Sequence, residues 1–233
     1  MEETYEGLVI RTIHFNEASE IVHIFTEKGI LSVLVKGARR YNSHRLSFCI
    51  PLTKVSFKVT SSKIPTLIDY SIIDSYSNIK DDLKKNLWFS YLLEILNKLP
   101  NDTYYSNIYK MIDKLLSNAS KIEAIKLVMI AQIKLLKAYG VEPEFKKCVL
   151  CSNPSYDFFS ISSGGFICSK HNPLDKENKD VYENIKRLYY FNLNTFLIDT
   201  LDDINFIDVF NAVNKYYSYY VDIKLHSLSS LII

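Results

Sequence analysis

Five short β-patterned runs follow one another in the first 75 residues with no helical period between them, and this constrains the fold more than any other feature. The runs are Tyr5 to His14, Ile21 to Thr26, Ile30 to Val35, Val55 to Thr60 and Thr66 to Ser75. Glu27-Lys28-Gly29 separates the second from the third and suits a tight hairpin, because glycine tolerates positive φ. Val55-Ser56-Phe57-Lys58-Val59-Thr60 alternates apolar and polar side chains, as a half-exposed strand does. A parallel, doubly wound sheet needs crossover helices that this segment lacks. Five strands of this length are predicted to curl into a small barrel, which removes sheet edges.

From Asp81 onward the apolar period becomes helical. Leu83, Leu87, Tyr91 and Ile95 form one stripe, with Trp88, Leu92, Leu96 and Leu99 beside it, before Pro100 and Asn101. Ile108, Met111, Ile112, Leu115 and Leu116 mark a second helix. Ser120 and Glu123 have capping-box spacing before a third helix through Leu136, which Gly140 and Pro143 terminate. Asp180 and Glu183 suggest another helix start, and Ile207, Phe210, Val213 and Tyr217 line a last one. The expected class is α+β: a five-stranded barrel over 1–79 and an all-α region over 80–233, interrupted by an insert at about 146–174. That insert has little periodicity and contains Pro154, Gly164, Gly165 and Pro173, so something other than an apolar core must hold it.

The cysteines supply a candidate. Cys148-x-x-Cys151 and Cys168-x-x-His171 are two half-sites whose ligand types and spacing suit one tetrahedral zinc ion. The Ser163-Gly164-Gly165-Phe166 stretch would turn the chain back to deliver the second pair. Four protein ligands leave no open position, so such a zinc would be structural. Cys49 stands alone in the strand region and reads as a small apolar residue.

Positive charge is segregated, although the net charge is only +2. No acid occurs between Glu27 and Asp69, a span holding Lys28, Lys36, Arg39, Arg40, Arg45, Lys54, Lys58 and Lys63, with His44 among them. The densest point is Lys36-Gly37-Ala38-Arg39-Arg40-Tyr41, where Gly37 lets backbone approach a ligand and Tyr41 could stack on an unpaired base. Asp199, Asp202, Asp203 and Asp208 form a base-free stretch that reads as a solvated turn and helix start. The tyrosines at 189, 190, 216, 217, 219 and 220 read as core or interface. No phosphate-binding P-loop, H-E-x-x-H helix or G-x-S-x-G elbow is present, and His14, His23 and His226 stand alone, so no enzyme activity is expected. The start of the chain is polar and no apolar run approaches the ~18 residues a bilayer crossing needs, so a cytoplasmic location is expected. Two other classes fit parts of the pattern: a small metal-dependent nuclease, which the acid-free stretch disfavours, and a barrel that binds protein instead of DNA.

The order of parts resembles the RecO family of bacterial recombination mediators. The similarity runs through Glu6-Gly7-Leu8-Val9-Ile10-Arg11-Thr12, Ile24 to Gly29, Val35-Lys36-Gly37-Ala38-Arg39-Arg40 and Pro65-Thr66-Leu67. It continues at Tyr91-Leu92-Leu93-Glu94, Tyr139 to Pro143, the cysteine array and Lys224-Leu225-His226-Ser227-Leu228. The resemblance implies an N-terminal OB-fold, a helical C-terminal domain with a zinc-finger-like insert, binding of single- and double-stranded DNA, and strand annealing. It further implies work with RecR and sometimes RecF, loading of RecA onto DNA coated by single-stranded-DNA-binding protein, and docking of that protein's C-terminal tail. By position it makes Arg11, Lys36, Arg39, Arg40 and Arg45 DNA contacts, to which the charge pattern adds Lys28, Tyr41, Lys54 and Lys58. His171 stands where many relatives have a fourth cysteine, and histidine is an equally competent zinc ligand.

Overall fold

The structure, a computed structural model, describes residues 2–171, 173–196, 198–221, 225–227 and 231. Met1, Lys224 and Leu228 of the patterns above lie outside the described residues. The chain forms two compact units, one of residues 1–124 with 225–232 and the other essentially 125–224.

The first unit is built on five antiparallel strands: β1 (Glu2–Phe15), β2 (Ser19–Thr26), β3 (Gly29–Val35), β4 (Lys54–Thr60) and β5 (Leu67–Asp74). Their order in the sheet is β3-β2-β1-β4-β5. The two edges approach at a single parallel bridge, Leu34 with Thr66, next to the bond from the Leu34 amide to the Pro65 carbonyl (2.8 Å). The sheet is thus a barrel left open along most of its β3–β5 seam, which is the partly open form an OB-fold takes. Alternation supplies the core. Val22 and Ile24, Val33 and Val35, and Val55, Phe57 and Val59 project inward, joined by Phe48 and Cys49 from a 3₁₀ turn over His44–Cys49. That turn carries the chain from β3 to β4. At Gly7 the packing leaves no room for a side chain, since a Cβ would lie 2.5 Å from Ile24 and 2.8 Å from the Phe25 carbonyl.

Three helices complete this unit: α1 (Ser77–Lys80), α2 (Leu83–Leu96) and α3 (Tyr105–Leu116). Helix α2 is capped by Asp82, whose side chain accepts from the Lys85 amide, and it buries Tyr91, Leu92, Ile95 and Leu96. His23 of β2 bonds Asn97 just beyond it (2.9 Å). Tyr105 and Tyr109 of α3 pack on Phe25 with ring centroids 5.8 and 5.9 Å apart. The segment at 225–227 returns to α2, where the Glu94 carboxylate accepts from the amides of His226 and Ser227 and the Ser227 hydroxyl.

Helix α4 (Ala124–Leu135) begins later than the capping-box spacing predicts. Ser120 sits in the preceding turn, where the Lys121 and Ile122 amides both bond the Asn118 carbonyl, so it is not the residue that caps the helix. Tightened turns after α4 reach Gly140, at φ +70°. The second unit continues with β6 (Phe158–Ser160), β7 (Gly165–Ile167), α5 (Lys179–Tyr189) and α6 (Phe206–Tyr220). Asn178 and Asn205 cap the last two helices. Tyr216 and Tyr217 are buried, whereas Tyr190 and Tyr219 stay exposed. The aspartates expected to be solvated are partly engaged: Asp202 pairs with Lys126, and Asp203 accepts both Arg187 amino groups at 2.8 Å. No helix among the described residues is long and apolar enough to cross a membrane.

Candidate nucleic-acid interface and metal centre

The chain leaves β3 at Val35 and immediately forms the basic loop. Gly37 adopts φ +71°, a conformation glycine takes without strain, and the Arg40 amide closes the turn on its carbonyl (3.2 Å). The Ser43 amide bonds the Arg40 carbonyl, and Arg45 reaches back to the Lys36 carbonyl (3.1 Å), so the loop is held from within. The result is a hollow of about 490 Å³ lined by Lys36, Gly37, Arg40, Asn42, Ser43, His44 and Arg45. Tyr41, next in sequence to Arg40, is 95% exposed. Arg39 points the other way. Its amide bonds the Ala18 carbonyl (3.1 Å), Nη1 bonds the Asn16 carbonyl (3.4 Å) and Nε lies 3.8 Å from Glu20. Arg39 therefore ties the basic loop to the β1–β2 turn.

The other expected contacts are placed differently. Lys28 sits in the β2–β3 turn over the Tyr5 ring (5.3 Å). The seven residues of β3 separate it from Lys36, roughly 23 Å along an extended strand. Arg11 is exposed on β1 and lines a separate hollow of about 480 Å³ in the same unit, with Glu94, Lys98 and His226. Lys54 and Lys58 depart most from the expectation of free cations. Lys54 is turned onto Asp113 of α3, and Lys58 pairs with Glu2 (3.0 Å), because β4 runs between β1 and β5 and its long side chains meet carboxylates on neighbouring elements. Sequence reasoning missed Glu20, a buried acid beside Arg39 and His14. The signal was available: a hairpin turn at Asn16–Ala18 sets Glu20 opposite His14.

In the second unit the four expected ligands converge. Cys148 and Cys151 flank a turn closed by the Ser152 amide on the Cys148 carbonyl (2.8 Å). Cys168 and His171 flank another, closed by the His171 amide on the Cys168 carbonyl (3.0 Å). The β6–β7 hairpin brings the second turn to the first through Gly164, at φ +73°, and Gly165, where a Cβ would meet the Glu144 carbonyl at 2.7 Å. His171 Nδ1 lies 3.6 Å from the Cys148 sulfur and 3.4 Å from that of Cys168, and the Cys151 and Cys168 sulfurs are 3.6 Å apart. All four ligand atoms fall within 4.8 Å of one another. A tetrahedral ion with bonds of ~2.0–2.3 Å needs ligand separations of about 3.5–3.8 Å, so the residues fit a metal. Burial works against the Cys148 thiolate, but the amides of Cys168, Cys151 and Leu150 outweigh it and pull the thiol down to about 6. Burial pushes the Cys49 thiol up to about 12.

A partly open five-stranded barrel carrying a cationic loop, with a helical region that holds a Cys₃His cluster, defines a class of two-part proteins. Residues 1–76 match the family described as "Recombination protein O N terminal", and residues 80–229 match "Recombination protein O C terminal". The chain belongs to the RecO family. It is 29% identical over 237 aligned residues to proteins called DNA repair protein RecO in Bacillus cereus (strain AH187) and Bacillus anthracis, covering 97% of this chain and 95% of each relative. A similar protein of the same name in Bacillus cytotoxicus is 29% identical over 244 aligned residues, with the same coverage.

Proposed function

We propose that this chain is a DNA repair and homologous-recombination mediator. It binds single- and double-stranded DNA and anneals complementary strands without making or breaking bonds. Family membership supports the pathway, and the hollow formed by Lys36, Arg40, His44 and Arg45 carries the DNA-binding reading. Phosphates repel one another, and a cationic surface that holds one or both strands lowers that barrier. Lys36, Arg39, Arg40, Tyr41 and Arg45 form the contact set, with Arg11 and Lys28 flanking it. Lys54 and Lys58 contribute less, since each is engaged with a carboxylate. The Cys148, Cys151, Cys168 and His171 cluster would hold a structural zinc ion. RecR, with RecF, would assist in loading RecA onto DNA coated by single-stranded-DNA-binding protein, whose C-terminal tail the chain would dock. Such a protein would work in the cytoplasm at the nucleoid.

A salt titration of oligonucleotide binding tests the reading. Affinity is expected to fall steeply with salt, and changing Lys36 and Arg40 together to Ala should reduce the slope of log affinity against log salt by about 2. Strand annealing should weaken in parallel. A wild-type slope near zero would point instead to a barrel that binds only protein.

A further inference from the structure

The stretch of sequence that lacks acids is folded over one. Glu20 is 3% exposed, yet it sits beside Arg39 of the basic loop. Strand pairing sets it opposite His14, and its two oxygens accept from His14 Nδ1 at 2.8 and 3.1 Å. Arg39 Nε lies 3.8 Å from the same carboxylate. On a surface that binds phosphates, an acid repels the ligand, and a buried carboxylate is tolerated only where it has partners. Both costs are met if the carboxylate sets the geometry of the groups above it.

We infer that Glu20 is a positioning residue for nucleic-acid binding, and that His14, which it orients, is a further contact. The inference rests on the reading that the Lys36–Arg45 loop binds nucleic acid. A carboxylate only accepts, so His14 Nδ1 carries the proton in this bond, and Nε2 is left on the outer side of a ring whose side chain is 74% exposed, where the neutral ring accepts from a base N–H and not from phosphate. Arg39 Nη1 donates to the Asn16 carbonyl (3.4 Å) while Nε pairs with the Glu20 carboxylate at 3.8 Å, too far for a hydrogen bond, so the guanidinium is held beside Glu20 with Nη2 left for a phosphate oxygen. Glu20 thus holds the His14 ring by a hydrogen bond and the Arg39 guanidinium by charge, from β1 and the basic loop, at one place on the surface.

The sign of one substitution separates this role from simple repulsion. Binding of a single-stranded oligonucleotide to the full chain would be measured by fluorescence anisotropy across a salt series. Glu20→Gln removes a negative charge, so repulsion alone predicts tighter binding. Positioning predicts binding weaker by about three- to tenfold, with partial recovery in Glu20→Asp. In a background with both His14 and Arg39 changed to Ala the same change should have less than about a twofold effect, because the groups it acts through are gone. Tighter binding by Glu20→Gln, or an equal loss with and without His14 and Arg39, would overturn the inference. Should Glu20→Gln unfold, position 14 still decides. His14→Ala should weaken binding, while His14→Arg, a permanent cation, should strengthen it and steepen the salt dependence. Unchanged binding in both would remove His14 from the surface. A wild-type chain that ignores the oligonucleotide would be a separate failure, of the underlying reading itself.

Discussion

The barrel and the cysteine insert solve the same problem with very different means. The barrel's core gathers twelve buried residues from its strands, the 3₁₀ turn and Ala38 of the basic loop, backed by four strand pairings. The insert's two strands are three residues each, and the buried cluster beside them consists of Cys148, Ile167 and Cys168. Two of those three members belong to the Cys₃His cluster. Strand alternation sends Phe166 to the other side, where it stacks on Tyr156 at 4.2 Å. The lesson is one of division: the hairpin face carrying Phe159 and Phe166 packs on aromatic rings, whereas the side carrying the cysteines would take its order from an ion.

Metal removal should break this symmetry most visibly. Stripping the metal, or changing Cys168 to Ser, is expected to raise amide exchange across residues 148–171 by ~100-fold or more, since structural zinc contributes on the order of 10 kcal/mol to folds that depend on it. Oligonucleotide binding by the barrel should survive. Hydrogen exchange read by mass spectrometry decides, and a barrel that loosened together with the insert would contradict the contrast. Next in size is Phe57→Ala. Phe57 is fully buried, stacked near Tyr5 and edge-on to Phe48 at 5.7 Å, so the change should cost about 3–5 kcal/mol in denaturant unfolding of the barrel. Metal content should not change. The smallest effect belongs to Asp175, which accepts from the Ser160 hydroxyl and from the amide and hydroxyl of Ser162, pinning the hairpin turn. Burial opposes its charge, but these donors outweigh it and hold its carboxyl below the usual range. Its folded value is depressed, so its contribution is present above the ordinary value of about 4 and is lost as pH falls through the folded one. Asp175→Asn should cost about 1–2 kcal/mol at pH 7, with the difference from wild type shrinking in acid below pH ~4, as thermal unfolding would show.

The two regions also differ in how much of them could be read from residues alone. All five strands fall where alternation put them, because period two and β-branched side chains are local signals that the tertiary structure reinforces. The ligand cluster was equally legible, since a Cys-x-x-Cys and a Cys-x-x-His place their donors through covalent spacing. Partners far apart in sequence were not. Nothing local in Lys54 announces Asp113, fifty-nine residues later, and Arg39 looks like any loop arginine until the β1–β2 turn meets it. Ser120 and Glu123 had the spacing of a cap, but Asn118 claimed the turn first. The barrel's open seam was likewise hidden, because strand patterns count strands without saying where the ladder stops.

The four thiols follow from the same division. Cys49 is sealed in the barrel core with its sulfur on the Arg45 carbonyl, and it ionises only near 12, so alkylating and oxidising reagents find nothing there to attack. The remaining three sit at one centre in the other unit. Of the four cysteines only Cys151 is exposed, so a thiol reagent meets the cluster first and would register any ion held there with little background from the barrel.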